Sequence, residues 1–227
     1  AYTGWSWAEI AFGKLKENFG LEETTSSLNI STMERSLATE VFAPGRNFGV
    51  QMSHSSSSHS WSLGLFQASE DEYGFDGYAY TGRFTLSPIN RPKAVLHLGV
   101  SGSWRDMLGE SYEINESLGV SVGDSIVESP EIAADTIGQI SLEAAMVAGA
   151  FSLQSEWMQQ RVKSQATIDA QTMSANFSGY YILGSYFLTG ESRDYDDGSF
   201  DETSPDGERG AWEIVASYST VDLVDSD

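Results

Sequence analysis

An all-β fold, an antiparallel transmembrane β-barrel, is predicted by three observations on this 227-residue chain. Nine stretches alternate apolar with polar residues. No apolar run approaches the roughly 20 residues that a transmembrane helix needs. The connections between the stretches alternate in length. A period of two sends successive side chains to opposite faces, which is the signature of a strand. About 9–11 residues of strand cross a bilayer, so a mean hydropathy of -0.26 is compatible with membrane residence.

The stretches justify themselves in order. Ser6–Leu15 sets Ala8, Ile10 and Phe12 against Glu9, Ala11 and Gly13. Arg46–Ser53 sets Phe48, Val50 and Met52 against Asn47, Gly49, Gln51 and Ser53. Ser60–Ala68 offers Trp61, Leu63 and Leu65. Gly77–Ser87 offers Tyr78, Tyr80, Phe84 and Leu86 against Ala79, Thr81, Arg83 and Thr85. Lys93–Trp104 is the cleanest, with Ala94, Leu96, Leu98, Val100, Gly102 and Trp104 on one face. Ile137–Met146 sets Ile140, Leu142 and Ala144 against Gln139, Ser141 and Glu143. Phe151–Val162 sets Phe151, Leu153 and Trp157 against Gln154, Glu156, Met158 and Gln160. Thr172–Leu188 is long, and its register is ambiguous around Tyr180–Phe187. Ala211–Leu223 sets Trp212, Ile214, Ala216 and Tyr218 against Glu213, Ser217 and Ser219. Gly, Pro, Asn and Ser clusters punctuate these stretches.

The connections run long (Lys16–Gly45), short (His54–His59), medium (Ser69–Asp76), short (Pro88–Pro92), long (Arg105–Thr136), short (Val147–Ala150) and medium (Lys163–Gln171). Outer-membrane barrels pair short periplasmic turns with longer outer loops in this way. Thr189–Gly210 is the exception, long but on the turn side by parity. In a barrel the apolar face meets lipid and the small polar face meets water. The alternative is a soluble or surface β-sandwich binding carbohydrate through its aromatics, with calcium, whose apolar face would be a core. Most of the aromatics, among them Trp61, Tyr78, Tyr80, Trp104, Trp157, Trp212 and Tyr218, fall near strand ends, as interfacial girdles require. Bacterial single-chain barrels have even strand numbers, and neither an initiator Met nor a secretory leader stands at Ala1–Leu15. Strands are therefore expected to be missing at both ends of what is otherwise a single domain, 1–227.

Net charge is -21, from 33 acidic against 12 basic residues. Binding nucleic acid requires neutralised phosphates, so nucleic acid is excluded as a partner. With no cysteine, disulfides and thiolate metal sites are excluded too. His54 and His59 lie in a Ser-rich turn with no carboxylate near in sequence, a poor metal pair. The acidic run from Asp194 to Asp206 departs from the calcium-loop pattern after Asp196 and reads as a solvated connection. Glu22 and Glu23 do not resemble a glycosidase pair, and Ser26, Ser27 and Ser31 lack a nearby His to activate them. No catalytic residues and no cofactor are expected. A divalent cation bridging the acidic outer loops to lipopolysaccharide is a further reading of the same charges.

Three stretches carry a resemblance. Phe12–Val50 reads FGKLKENFGLEETTSSLNISTMERSLATEVFAPGRNFGV, Tyr180–Arg193 reads YYILGSYFLTGESR, and Gly210–Leu223 reads GAWEIVASYSTVDL. Together they are similar to the phosphate-selective (polyphosphate and phosphate) porins of Gram-negative outer membranes. The resemblance implies the central portion of a 16-stranded barrel, a homotrimer, and a water-filled channel in contact with outer-membrane lipid and lipopolysaccharide. It implies that Lys16–Gly45 folds inward as the constriction, that Arg105–Thr136 bends inward, and that Thr189–Gly210 enters the lumen.

Phosphate-selective members line the passage with Arg and Lys, which replace an anion's hydration by charge-assisted hydrogen bonds. By resemblance Arg35, in MERS, matches a basic constriction position. Arg46 follows the loop, and Arg83 faces the lumen by strand parity. Lys14 shares the Ile10 and Phe12 face and is expected to snorkel. Two departures weigh against phosphate selectivity. Glu23 stands where selective members carry Lys. The Arg105–Thr136 loop holds Asp106, Glu110, Glu113, Glu116, Asp124, Glu128, Glu131 and Asp135 in place of several Arg. Carboxylate rings favour cations. The expected function is passive diffusion of small hydrophilic solutes or ions, phosphate or other anions included. Arg35 should oppose Glu22, Glu23 or Glu34 at the narrowest point. An outer-membrane barrel with no open channel, acting as adhesin or scaffold, is a third reading.

Overall fold

The structure, a computed structural model, describes residues 7–68, 77–117, 125–129, 131–168 and 171–224. Ser6, Asp124 and the Ser69–Asp76 connection lie outside the described residues. Strand β1 (Glu9–Lys16) leads into two short helices, α1 (Leu21–Thr24) and α2 (Leu37–Phe42). A meander of β2 (Arg46–Ser55), β3 (His59–Gln67), β4 (Tyr78–Arg91) and β5 (Ala94–Asp106) follows. Small strands β6 (Ser111–Tyr112), β7 (Asn115–Ser117) and β8 (Ser125–Glu128) occupy the next connection. Long strands β9 (Ile132–Ala148), β10 (Phe151–Ile168) and β11 (Gln171–Phe187) come after it. A small hairpin of β12 (Asp194–Asp196) and β13 (Ser199–Asp201) then precedes β14 (Glu213–Asp222).

The main sheet runs in the order β1-β2-β3-β4-β5-β9-β10-β11-β14, every pair antiparallel, with β6 added beside β9. Each of the nine alternating stretches is one strand of this path. The chain is an all-β, antiparallel barrel-type sheet; it is open, with β1 and β14 at its edges. No helix among the described residues is long and apolar enough to cross a membrane.

Strand boundaries differ from the sequence reading at several places, among them β9, which starts at Ile132 inside the expected Arg105–Thr136 connection. β10 and β11 continue to Ile168 and from Gln171, so the medium connection expected over Lys163–Gln171 shrinks to residues 169–170, outside the described ones. Polar Ser and Gln residues resemble a loop in sequence, yet they propagate the ladder here. β4 runs through Pro88 to Arg91, and its register against β5 shifts between Leu86 and Ile89. Proline has no N–H to give the ladder and is tolerated at such an irregularity. The ambiguous register of the eighth stretch resolves with Tyr180, Ile182 and Tyr186 exposed and Tyr181 and Leu183 buried.

The two faces of the sheet invert the usual order. Large apolar side chains, among them Phe84, Leu98, Val100, Leu142 and Ile182, are exposed; Leu98 is 46% accessible. Polar side chains on the opposite face, such as Ser62, Thr85, Ser101, Ser141 and Gln160, are buried. They are covered by the 17–45 segment and by the hairpin of the 188–212 connection. Phe19, Phe42, Met158 and Phe177 belong to one apolar cluster over this inner face, and Leu21, Val95, Val147 and Phe200 to a second. Burying a side chain of this size contributes about 1.5–3 kcal/mol, enough for each segment to be seated rather than merely draped. Gly179 makes the seat possible. A Cβ there would lie 2.9 Å from Phe42 Cε2 and 2.8 Å from the Thr220 carbonyl oxygen.

The exposed apolar face must meet lipid. Leu98→Arg is therefore expected to lower the unfolding free energy of protein refolded into vesicles by about 2–4 kcal/mol. Denaturant titration of the parent and the variant measures the difference, and equal midpoints would show that lipid does not cover this face.

Candidate constriction site

The inward segment is fastened first at its start. Glu17, just past β1, accepts hydrogen bonds from Asn47 Nδ2 (2.7 Å), from the Thr81 hydroxyl and from Arg105, with which it forms an ion pair. Burial pushes the Glu17 carboxyl above its ordinary value, while Arg105 and the neutral donors pull the other way. The chain then turns at Gly20 (φ 77°), whose backbone N–H donates to Ser101 Oγ at 2.9 Å. The Glu156 carboxylate accepts from the Leu21 N–H at 2.8 Å and the Glu22 N–H at 2.7 Å. It also accepts from the Tyr181 hydroxyl at 2.7 Å. These are the free donors at the start of α1. A Cβ on Gly20 would sit 2.6 Å from Glu156 Oε2, so the close approach and the positive φ both require glycine.

The residues expected at the narrowest point separate into two groups. Glu22 turns its carboxylate to the start of α2, where Oε2 accepts from the Ser36 N–H (3.0 Å), the Ser36 hydroxyl (2.7 Å) and the Thr39 hydroxyl (2.7 Å). Ser36 in turn caps the helix by accepting from the Thr39 N–H. Glu23 faces the cations. Its Oε2 lies 3.1 Å from Arg35 Nε, and its Oε1 lies 3.3 Å from Lys16 Nζ. Arg35 also donates to the carbonyls of Glu22 (3.2 Å) and Thr25 (3.1 Å). Arg35 thus stays within its own segment, paired with Glu23. Glu34 is exposed and its side chain joins neither group. Arg46 is exposed at the first position of β2, on the parity of Phe48 and Val50.

Arg83 is on the inner face, as its parity requires. It grips Glu143 with Nε–Oε1 at 3.0 Å and Nη2–Oε2 at 2.6 Å, and donates from Nη2 to the Gly198 carbonyl at 2.8 Å. Glu143 also accepts from Ser101 Oγ at 2.7 Å and lies 3.1 Å from His97 Nε2. His97 Nδ1 is 2.6 Å from the Tyr195 hydroxyl, itself 2.9 Å from Ser87 Oγ. Burial pushes the Tyr195 hydroxyl above its ordinary value. Glu191 goes the other way, lowered chiefly by its hydrogen bond from Thr189.

The two inward segments meet. Arg193 donates to Gln154 Oε1 (2.6 Å) and to the Asn29 carbonyl (3.3 Å), and its guanidinium stacks 3.6 Å above the Phe200 ring. Asn29 Nδ2 donates to Asp201 at 3.2 Å, and the Phe200 N–H reaches Thr25 Oγ1 at 3.4 Å. Among the described residues, no carboxylate lies within ion-pair distance of Arg193. Burial lowers its pKa to about 10, which leaves it charged at neutral pH.

Two open spaces flank these segments. One, of about 620 Å³, is lined by Lys14, Glu40, Arg46, Arg105 and Glu113 among others. The other, of about 200 Å³, has Glu9, Ser53, Ser62, Arg83 and Asp197 in its walls. No group of three or more His, Cys, Asp or Glu side chains gathers as a metal site among the described residues. The His54 and His59 rings are 5.9 Å apart. Glu17, Glu156, Gln154 and Arg193 escaped the sequence reading as site residues. For Glu156 and Gln154, inward parity was the available signal; for Glu17 and Arg193, none was.

An open antiparallel sheet with apolar residues outward, polar residues inward and loops seated on the polar face defines a membrane β-barrel of the porin type. The family described as phosphate-selective porin O and P matches residues 1–227, and the chain belongs to it, among Gram-negative outer-membrane proteins. Porin O of Pseudomonas aeruginosa is 27% identical over 254 residues, an alignment covering 100% of this chain and 57% of that protein. An uncharacterized protein of Caulobacter vibrioides is 28% identical over 226 residues, covering 90% of this chain and 44% of that protein. The chain spans about half the length of these curated relatives.

Glu156→Ala would strand two buried backbone donors, at a cost of about 1–3 kcal/mol each. Amide exchange over residues 20–25 is expected to accelerate by about 30-fold or more, the equivalent of roughly 2 kcal/mol. Mass-spectrometric hydrogen exchange reads this directly, and unchanged rates would remove Glu156 as the anchor.

Proposed function

We propose that this chain forms part of an outer-membrane channel through which small hydrophilic solutes and ions diffuse passively. Channel rather than enzyme follows from the family. Closure by further strands is supported by the greater length of the relatives, and by the cost of open sheet edges in hydrocarbon. Assembly as a homotrimer, contact with lipopolysaccharide and divalent bridging at the acidic loops belong to the same reading. The 17–45 segment is the constriction, and the 188–212 connection narrows it from the opposite end.

One observation carries the selectivity. The inner-face cations Arg35, Arg83 and Arg105 each face a carboxylate: Glu23, Glu143 and Glu17. A paired guanidinium offers a passing anion little net field. The Lys16, Arg35, Glu22 and Glu23 group is formally neutral. The passage therefore discriminates weakly by charge, and admits phosphate among other ions without singling it out. The family's description favours a second reading, phosphate selectivity, and Arg193 favours it too, as a cation with no carboxylate partner among the described residues.

Planar-bilayer recording separates the two. The full protein should show conductance steps and a small reversal potential in a salt gradient. Glu23→Lys changes the local charge by two units. Acting across about 10 Å of water, this is worth roughly 0.8 kcal/mol on a monovalent ion, or about fourfold toward anions. Absent steps would sink the channel. Strong anion selectivity in the parent, unmoved by Glu23→Lys, would favour the phosphate-selective reading.

A second expectation concerns Arg193. Arg193→Gln removes the bridge to the Asn29 carbonyl and, within the second segment, the stack on Phe200, so the seam between the two inward segments should loosen. Single-channel conductance is expected to rise with greater open-channel noise. An unchanged trace would mean that their contact does not limit the passage.

A further inference from the structure

We propose that the outward face of the β9–β10–β11 wall carries a binding site for the phosphorylated headgroup of lipid A, centred on Arg161 and Lys163. This deepens the outer-membrane reading and rests on it. Both residues are exposed and lie two apart on one strand, so both project from the lipid-facing side. That side is fixed by Trp157, which precedes them on the same parity and is itself exposed.

Height along the strand selects the ligand. Tyr80 and Trp104, stacked with ring centroids 6.2 Å apart, stand exposed on this face as an aromatic band at the long-loop ends of β4 and β5. Such bands mark the boundary between hydrocarbon and headgroups. Arg161 lies in register with Trp104 through Gly138, which pairs with both, and four residues, about 13 Å of strand, beyond Trp157. That is headgroup depth, on the side of the long loops, which in outer-membrane barrels is the outer leaflet. Lys163 stands one further step up.

The surroundings are polar but uncharged across the β10–β11 pair. Arg161 is partnered in register with Asn176 and Lys163 with Ser174. Arg161 Nη2 reaches Ser174 Oγ at only 3.5 Å. Toward β9, Lys163 pairs with Thr136 beside the bulge that leaves Asp135 exposed. Among the described residues neither cation forms an ion pair. Inner-face Arg83, Arg105 and Arg35 are all matched by carboxylates. In a chain of net charge -21, two unpaired neighbouring cations at headgroup height, flanked by hydroxyl and amide donors, complement a phosphomonoester with an acyl anchor below it.

The test compares the full protein in detergent with its Arg161→Ser/Lys163→Ser double variant, titrated with purified bisphosphorylated lipid A and read by native mass spectrometry. Juxtamembrane cations contribute about 1 kcal/mol each, so affinity should fall by roughly tenfold to thirtyfold. Dephosphorylated lipid A should bind the parent no better than the phosphorylated lipid binds the variant. Equal affinity of parent and variant overturns the proposal, as does indifference to the phosphates. A variant that keeps its lipid A affinity but runs as a smaller oligomer assigns the patch to a second copy, and also overturns it. Conductance of the same preparations is expected to match. A parent without conductance would count against the channel, while the lipid comparison still decides the site.

Discussion

The inner face of this sheet depends on one carboxylate. Glu156 stands in the middle of β10 with its side chain turned away from lipid, and it accepts the first two amides of α1 together with the Tyr181 hydroxyl. Without such an acceptor, a loop entering a polar but crowded face would strand its own backbone donors. With it, the Lys16–Gly45 segment has a fixed point near the centre of the sheet, and every later contact is made relative to that point. Glu22 can then cap α2, Arg35 can reach Glu23, and Phe42 can settle over Gly179. The order is physical: the anchor determines which side chains face the opening and which are consumed in holding the loop.

Consumption of charge is the main consequence. A basic residue at a constriction acts on solutes only by the field left over after its neighbours are counted. Arg35 keeps little, because Glu23 and two carbonyls take its donors. Arg83 keeps little, because Glu143 takes it bidentately and Gly198 takes what remains. Arg105 is held by Glu17 and the Ala68 carbonyl. The acidic composition of the chain therefore reaches the interior as well as the loops. Arg193 departs from this pattern, with amide, carbonyl and aromatic partners, and Glu213 acts on its charge only from beyond ion-pair distance.

Most of the sheet was legible in the sequence, because lipid on one side and water on the other impose a period of two on every spanning segment. The alternation from Ala94 to Trp104 located both faces without a single contact being known. The tops of β10 and β11 were not legible. Ser164, Gln165 and Thr167 carry no apolar alternation, so Ser164–Thr167 looks like loop in the sequence. Inward parity of Arg83 was readable, but its engagement by Glu143, 60 positions away, was not. The pairing of Glu23 with Arg35 escaped for a related reason. Residue types gave the charges; only the turn at Gly20 and the cap at Ser36 bring them within 3.1 Å.

The two inward segments approach from opposite ends of the sheet, and this sets a limit on how the passage can change. Glu156 ties the first to the wall and Glu143, through Arg83, ties the second, while Leu21 of the first and Phe200 of the second share one apolar cluster. Their mutual contact adds to that cluster the bond from Arg193 to the Asn29 carbonyl, the Asn29 amide on Asp201 and the Phe200 N–H on the Thr25 hydroxyl. The two segments are therefore coupled to each other as well as to the wall. In the proposed channel, widening the passage would have to part Leu21 from Phe200 as well as Arg193 from Asn29. Under the proposed reading, charge selection rests on the Glu23–Arg35 pair, and width on the seam where Leu21 and Asn29 meet Phe200 and Arg193.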